Sequence, residues 1–381
     1  MRILSIFTTF TNGGAEVLVA NLSGAFAAAG HRSTVVALSA AASVGNDPAT
    51  EAAMCERISA EGGEALELGD DARRRPVAGA LALRRLVRRI QPDVIHAHTA
   101  RALPLLWLAR APCPVVLTHH NSRLSFPPAL FALFDRVADG YVAISHDCAR
   151  LLRTRTRRPI TRIVNAAGAG FLAPGPRDAI GDPITILAVG ALSAQKNYSM
   201  LIEAANHLRH RCGARYRFRL QIAGDGALMP ALRQHVAERR LGDVVELLGN
   251  RGDIAALMRG ADIFVNSSHY EGMPIAMLEA LQSALPVVAT DVAGTRELIL
   301  HRHNGLLARS DDDDALALAL HELLTEPGIH RRFSAAALDT GRQYDLATCA
   351  GAHLRLYADL MQRRAYGPRA TSAPRAALQK E

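Results

Sequence analysis

The segment His269-Tyr270-Glu271-Gly272-Met273-Pro274, followed by Ile275-Ala276-Met277-Leu278-Glu279-Ala280, sets two carboxylates eight positions apart, one ahead of an expected helix and one inside it. Pro274 suits the first helical position, where its missing N–H costs nothing, so Gly272 and Met273 form the expected entry turn and Glu279 lies about a turn and a half inside. Such a turn offers free backbone N–H groups to an anion, while nearby carboxylates accept from hydroxyls. A ligand with a phosphate end and a polyhydroxyl end, a nucleotide sugar, fits both halves of that description. Taken alone, two glutamates at this spacing are an ordinary polar helix face, so the neighbouring loops decide.

Lys196 follows Val189-Gly190-Ala191-Leu192 and precedes Leu201-Ile202-Glu203, which puts it at a loop-to-helix junction where an ammonium can neutralise a diphosphate leaving group. Gly224, in Ile222-Ala223-Gly224-Asp225-Gly226, and Asn250, after Leu247-Leu248-Gly249, sit in loops whose glycines let the backbone approach a base or phosphates. Gly13 and Gly14, in Asn12-Gly13-Gly14-Ala15-Glu16, open a helix after the first strand; lacking G-x-G-x-x-G, the loop gives no support to a nicotinamide or flavin cofactor. Histidines gather at strand ends: His96 with His98, and His119 with His120. We expect His96 and His98 to point to opposite faces of their strand, which weakens a two-ligand metal site. Asp311 to Asp314 precede an apolar run and are expected to start a helix, not to hold a metal.

The elements that must position these residues alternate between short β-branched runs and amphipathic stretches, the pattern of repeated βα units and parallel sheets. Strands are expected at 2–8, 33–38, 64–68, 93–97, 114–118, 140–144 and 160–164, and the series restarts at 184–190, 217–223, 244–248, 261–265, 286–289 and 305–307. This is an α/β chain of two facing, Rossmann-like, doubly wound domains, residues 1–165 and 184–345, joined by a Gly- and Pro-containing linker or hinge at 166–183. Ligands then bind in the cleft between the domains, outside the carboxyl ends of the strands. A closing helix is expected at 346–365, with its amphipathic stretch at 350–361, and a disordered tail at 366–381.

In order and spacing, the second half resembles the retaining nucleotide-sugar glycosyltransferases of glycosyltransferase family 4, which have the GT-B fold. The resemblance runs through most of 184–310: the Val-Gly strand end with Lys196, Ile222 to Gly226, Leu247-Leu248-Gly249, Ala261 to Ser268, Glu271-Gly272 through Glu279-Ala280, Pro286 to Asp291, and Gly294 with Asn304-Gly305. It implies that Glu279 binds the donor ribose, Lys196 the diphosphate and Glu271 the sugar hydroxyls, with the backbone of Gly272, Met273, Pro274 and Ile275 lining phosphates and sugar. Gly13 and Gly14 resemble the family's glycine loop, and Thr118-His119-His120 matches its Thr-x-His pattern, which makes His120 the active-site histidine near the transferred sugar. Family members often carry arginine where this chain has Ala191; one of two cationic diphosphate contacts is then missing or supplied from elsewhere.

Composition bounds the rest. The chain has 381 residues, 49% hydrophobic and 21% charged, enough for two buried cores. Its apolar stretches are too interrupted to span a bilayer, and the N-terminus reads as a strand instead of a signal peptide. Five scattered cysteines, an odd number, suit a reducing compartment and small core positions. The expectation is a cytoplasmic protein. Of the formal charge of +8, residues 1–180 carry +7, concentrated in Arg73-Arg74-Arg75, Arg84, Arg85, Arg88 and Arg89, and in the acid-free run from Arg150 to Arg162. Such patches suit an anionic membrane surface on the inner face of the cell membrane or a phosphorylated acceptor, or are simply solvated helix faces. With 5% aromatic residues and none interleaved with the arginines, nucleic acid is not an expected partner.

The expected reaction is transfer of a hexose or N-acetylhexosamine from a nucleoside diphosphate sugar, UDP in the first instance, to a glycan or lipid-linked acceptor in envelope polysaccharide synthesis, with no metal and no cofactor beyond the donor. Two alternatives remain open from the residues: a nucleotide-sugar epimerase on the same architecture, and a non-catalytic nucleotide-sugar-binding protein.

Overall fold

The computed structural model describes residues 1–366, apart from 45–46, 70–74, 179 and 214. Arg73, Arg74 and the expected tail from 367 onward therefore lie outside the described residues. Every run read above as a strand is one. The first series forms β1 (Arg2–Phe7), β2 (Arg32–Ala37), β3 (Glu64–Glu67), β4 (Val94–Ala97), β5 (Val115–His119), β6 (Gly140–Ala143) and β7 (Ile160–Arg162). The second forms β8 (Ile184–Val189), β9 (Phe218–Ala223), β10 (Val245–Gly249), β11 (Ile263–Asn266), β12 (Val287–Thr290) and β13 (Gly305–Ala308). Each series closes into one parallel sheet, in the orders β3-β2-β1-β4-β5-β6-β7 and β10-β9-β8-β11-β12-β13. Helices cover both faces, so the central strands are buried on both sides and read as continuous apolar runs.

The strand orders carry the functional consequence. In both sheets the winding reverses once, between β1 and β4 and between β8 and β11. Loops leaving those neighbouring strands turn to opposite faces and leave a crevice at the carboxyl edge.

The closing helix is Leu346–Tyr366, within one residue of the expected 346–365, and it lies on the first sheet. Tyr357 and Leu360 pack with Ile3, Val94, Val116 and Val142 of that sheet and with Phe26 of the helix Gly14–Ala28. The chain thus crosses between the two halves twice. The linker region is not a loose tether over its whole length. Ala173 N donates to Gln282 O (2.8 Å), Ser283 Oγ to Phe171 O (3.1 Å), and the Arg177 guanidinium to the carbonyls of Met258, Arg259 and Ser283. From Phe171 onward the segment is strapped to the second half.

Helix Ile275–Gln282, which carries Glu279, begins one residue later than expected. Pro274 is extended (ψ 118°) and acts as N-cap, its carbonyl accepting from Met277 and Leu278 N–H groups. Helix Pro327–Gly341 crosses behind it so closely that a Cβ on Gly341 would lie 2.6 Å from Gln282 N. Gly341→Ala is therefore expected to lower unfolding stability by roughly 1–3 kcal/mol through overpacking. An unshifted midpoint in a denaturant titration would contradict this packing.

Candidate functional site

The four loops at the two reversal points carry most of the residues singled out by sequence. Gly13 and Gly14 follow β1, His98 follows β4, Lys196 follows β8 and Glu271 follows β11. On the second half, the turn Ala194–Lys196 ends with Asn197 in the left-handed region (φ 50°), and helix Tyr198–Cys212 then begins. That geometry aims Lys196 inward: its Nζ lies 2.6 Å from Glu271 Oε1, with the two side chains only 17% and 6% exposed. Glu271 Oε1 also accepts from Ser268 Oγ (2.7 Å) and Asn266 Nδ2 (3.4 Å), and Oε2 from Gln195 Nε2 (3.4 Å). Ser267 Oγ donates to Lys196 O and Thr290 Oγ1 to Ser268 O, so both loops are tied to the strand ends beneath them.

Glu279 lies one turn into its helix and is buried. Burial pushes its carboxyl up to about 7, and the Arg57 guanidinium from the first half pulls it partly back. Arg57 is itself held by Asn21 and Glu61. Glu16, in the first turn of helix Gly14–Ala28, is also driven up to about 7 by burial.

The halves touch around this wall. A Cβ on Gly14 would meet Ile275 at 3.6 Å, so the glycine loop faces the helix start. Asn165 Nδ2 donates to Met273 O (2.9 Å), Asn12 Nδ2 to Asn250 Oδ1 (2.8 Å), and Asn250 Nδ2 to Thr50 Oγ1 (2.6 Å). Arg123 stacks over the Tyr270 ring at 4.3 Å, and His146 N donates to Glu297 (2.7 Å). A Cβ on Gly272 would collide with the carbonyl of His120, so only glycine lets the turn rest on that loop. Gly272 and His120, 152 positions apart in sequence, thereby become neighbours across the cleft.

The histidines differ from expectation. Residues two apart share one face of a strand, and the His96 and His98 rings accordingly lie side by side, tilted, with centroids 4.0 Å apart instead of pointing to opposite faces. His96 bonds Tyr357 OH and Thr118 Oγ1, both at 2.6 Å, and His98 Nδ1 meets His120 Nε2 at 3.1 Å. Burial, together with neighbouring His119 and His353, lowers His120 to about 3, so the ring is neutral at physiological pH. Among the described residues no three His, Cys, Asp or Glu side chains converge as a metal site. The Asp311–Asp314 run does start a helix, with Asp312 capping Ala315 N at 2.9 Å.

Other assignments shift. A Cβ on Gly224 would collide with the carbonyl of Gly190, so the neighbouring strand end already requires that glycine. The side chains of Met273 and Ile275 are buried, leaving their backbone to face the turn. Asn250 spans the two halves. Sequence reading missed Asn165, Arg57 and Glu16, and it named His98 in the strand-end cluster without its contact to His120.

Two family models match the chain: Glycosyltransferase Family 4 over residues 12–167 and Glycosyl transferases group 1 over residues 176–340. The chain is 36% identical over 155 residues to the amylovoran biosynthesis glycosyltransferase AmsK of Erwinia amylovora, a match covering 39% of this chain and 37% of AmsK. It is 27% identical over 315 residues to the glycosyltransferase EpsF of Bacillus subtilis (strain 168), covering 76% and 79%. Its fold is that of Anabaena HepE, solved in complex with UDP and glucose, with TM-score 0.77 at 20% identity over 94% of this chain and all of that one. The facing doubly wound sheets and the order of the motifs across both halves make this chain a member of the group 1 glycosyltransferases, family 4, with the GT-B fold.

Proposed function

We propose that the protein transfers a hexose or N-acetylhexosamine from a nucleoside diphosphate sugar, UDP in the first instance, to a glycan or lipid-linked hydroxyl during bacterial envelope polysaccharide synthesis, with retention at the anomeric carbon. The observation that carries this reading is the Lys196–Glu271 pair, largely withdrawn from water, on the loops beside the start of helix Ile275–Gln282, whose entry turn at Gly272 rests on the His120 backbone. HepE was solved with UDP and glucose, and AmsK is named for polysaccharide synthesis; both support the donor and the setting.

Breaking the sugar–phosphate bond places negative charge on the departing diphosphate and positive charge on the sugar. Lys196 and the first N–H groups of the helix, which have no intrahelical partner, stabilise the first. Glu271 accepts from sugar hydroxyls and Glu279 from the ribose. With Oε1 of Glu271 already accepting from Lys196, Ser268 and Asn266, the carboxylate is a poor nucleophile. Attack therefore comes from the leaving group's own face, a phosphate oxygen taking the acceptor proton, while neutral His120 orients a hydroxyl. Acceptor groups enter from the first half, where Thr9 Oγ1, His119 Nε2 and Asn165 Oδ1 are buried without a protein partner. The inter-half contacts exclude water and limit donor hydrolysis. Among the described residues no helix is long and apolar enough to cross a membrane; we place the enzyme in the cytoplasm, meeting its acceptor at the inner membrane face.

The test is a panel of uridine, guanosine and adenosine diphosphate sugars, with and without acceptor. Nucleoside diphosphate release that requires acceptor supports transfer, free-donor interconversion signals an epimerase, and binding without turnover a non-catalytic module. Because Lys196 and backbone dipoles supply the positive field, a chelator should leave turnover unchanged; loss of rate restored by a divalent ion would overturn the metal-free scheme. Lys196→Ala should lower kcat by about 10²–10³-fold, as removal of one preorganised charge contact does, while thermal unfolding shows the fold retained; full turnover would end the leaving-group role. Glu279 has its carboxyl raised from 4.5 to about 7, so its contribution to stability is complete below about 4.5 and is lost as pH rises through 7. Glu279→Gln should then be more stable than the parent at pH 8 by about 2–3 kcal/mol, converge with it under acid conditions, and bind donor more weakly. Parallel stability–pH curves would contradict the buried carboxyl.

A further inference from the structure

His119 ends β5 at the interdomain cleft, but the other end of the same strand borders a separate concavity. It has a volume of about 550 Å3 and lies between Trp107, Leu108, Arg110, Arg136, Asp139 and Arg364. Val115 opens β5 and Asp139 immediately precedes β6, so the cavity sits at the amino edge of the first sheet. Arg110 reaches it from the C-cap of helix Ala102–Ala109, in the left-handed conformation (φ 54°) that glycine adopts more easily. Arg364 reaches it from the last turn of helix Leu346–Tyr366.

The charge there is one-sided. Asp139 is the cavity's one carboxylate; it accepts from Val115 N (2.9 Å) and lies 3.7 Å from Arg364. Among the described residues, Arg110 and Arg136 have no ion-pair partner. The adjoining helix Pro76–Ile90 packs on helix Ala102–Ala109, contains no acid, and exposes Arg85, Arg88 and Arg89 toward its C-terminal end, at the same edge of the sheet. Trp107 and Leu108, consecutive at the cavity rim, are 51% and 42% exposed. Unpaired guanidiniums around a pocket, next to an exposed indole and exposed aliphatic groups, match the layered chemistry of a lipid surface: anionic phosphates outside, an amphipathic interface beneath.

We propose that the amino edge of the first sheet docks on an anionic phospholipid bilayer, the cavity taking a phosphate-bearing headgroup between Arg110, Arg136 and Arg364 while Trp107 and Leu108 enter the interface. This assigns a surface to the membrane contact without resting on the sugar-transfer chemistry. Trp107 is the chain's single tryptophan, so indole emission of the full-length protein reports this site alone. Vesicles containing phosphatidylglycerol should shift the emission to the blue and co-sediment the protein, and phosphatidylcholine vesicles should do neither. Arg110→Glu with Arg136→Glu should weaken partition by roughly tenfold or more, and added salt should weaken it in the parent. Unchanged emission with phosphatidylglycerol vesicles, an equal response to phosphatidylcholine, or parent-like binding by the double variant would each overturn the proposal. So would an emission change with inorganic phosphate that vesicles do not increase, since that marks a free-anion site. The parent's own emission decides the matter if the double variant fails to fold.

Discussion

A lysine ammonium and a glutamate carboxylate 2.6 Å apart, both largely withdrawn from water, do not stay there on mutual attraction alone. Removing two charges from water costs several kcal/mol per ion unless further hydrogen bonds complete the pair. Here Ser268, Asn266 and Gln195 supply them, and Ser267 and Thr290 fix the loops that carry them. The second sheet brings β8 and β11 side by side at its reversal point, and everything proposed for the site depends on that adjacency.

The surroundings hold other titratable groups in their neutral forms. Desolvation lifts Glu279 and Glu16 toward neutral pH and lowers His96, His98, His120 and His353. The first half therefore presents neutral imidazoles, and the second an ion pair beside a helix start. In the proposed scheme the diphosphate would meet the Lys196 ammonium and the helix start of the second half, away from these imidazoles. The arginine that family members often carry has no counterpart at Ala191; the cation acting on Glu279 is Arg57, from the opposite half.

Two crossings of the chain couple the halves. The strap from Phe171 to Arg177 fastens to the second half, whereas helix Leu346–Tyr366 fastens to the first and bonds His96 through Tyr357. Relative motion of the halves must then concentrate in the short segments left between these anchors. The basic amino edge of the first sheet lies at the far end of its strands, so a membrane contact there leaves the cleft free to open and close.

Local sequence determined the thirteen strands, because β-branched runs bounded by turn residues leave a chain few other choices. It also determined the helix start at Asp312, where a carboxylate caps free N–H groups, and the start near Pro274 to within one residue. It named Lys196, Glu271 and Glu279 from residue type and spacing and His120 through the family resemblance, yet could not say which of them meet. Tertiary structure decided that Lys196 pairs with Glu271, that Gly272 rests on His120, and that Asn165, Arg57 and His98 join them. It also decided that the closing helix covers the first sheet. Propensity and pattern act over a few residues, whereas contacts between residues 75 or 152 positions apart depend on strand order and burial, which no short stretch of sequence encodes. The pairing of His96 with His98 was the exception: the two-residue period of a strand already put both rings on one face.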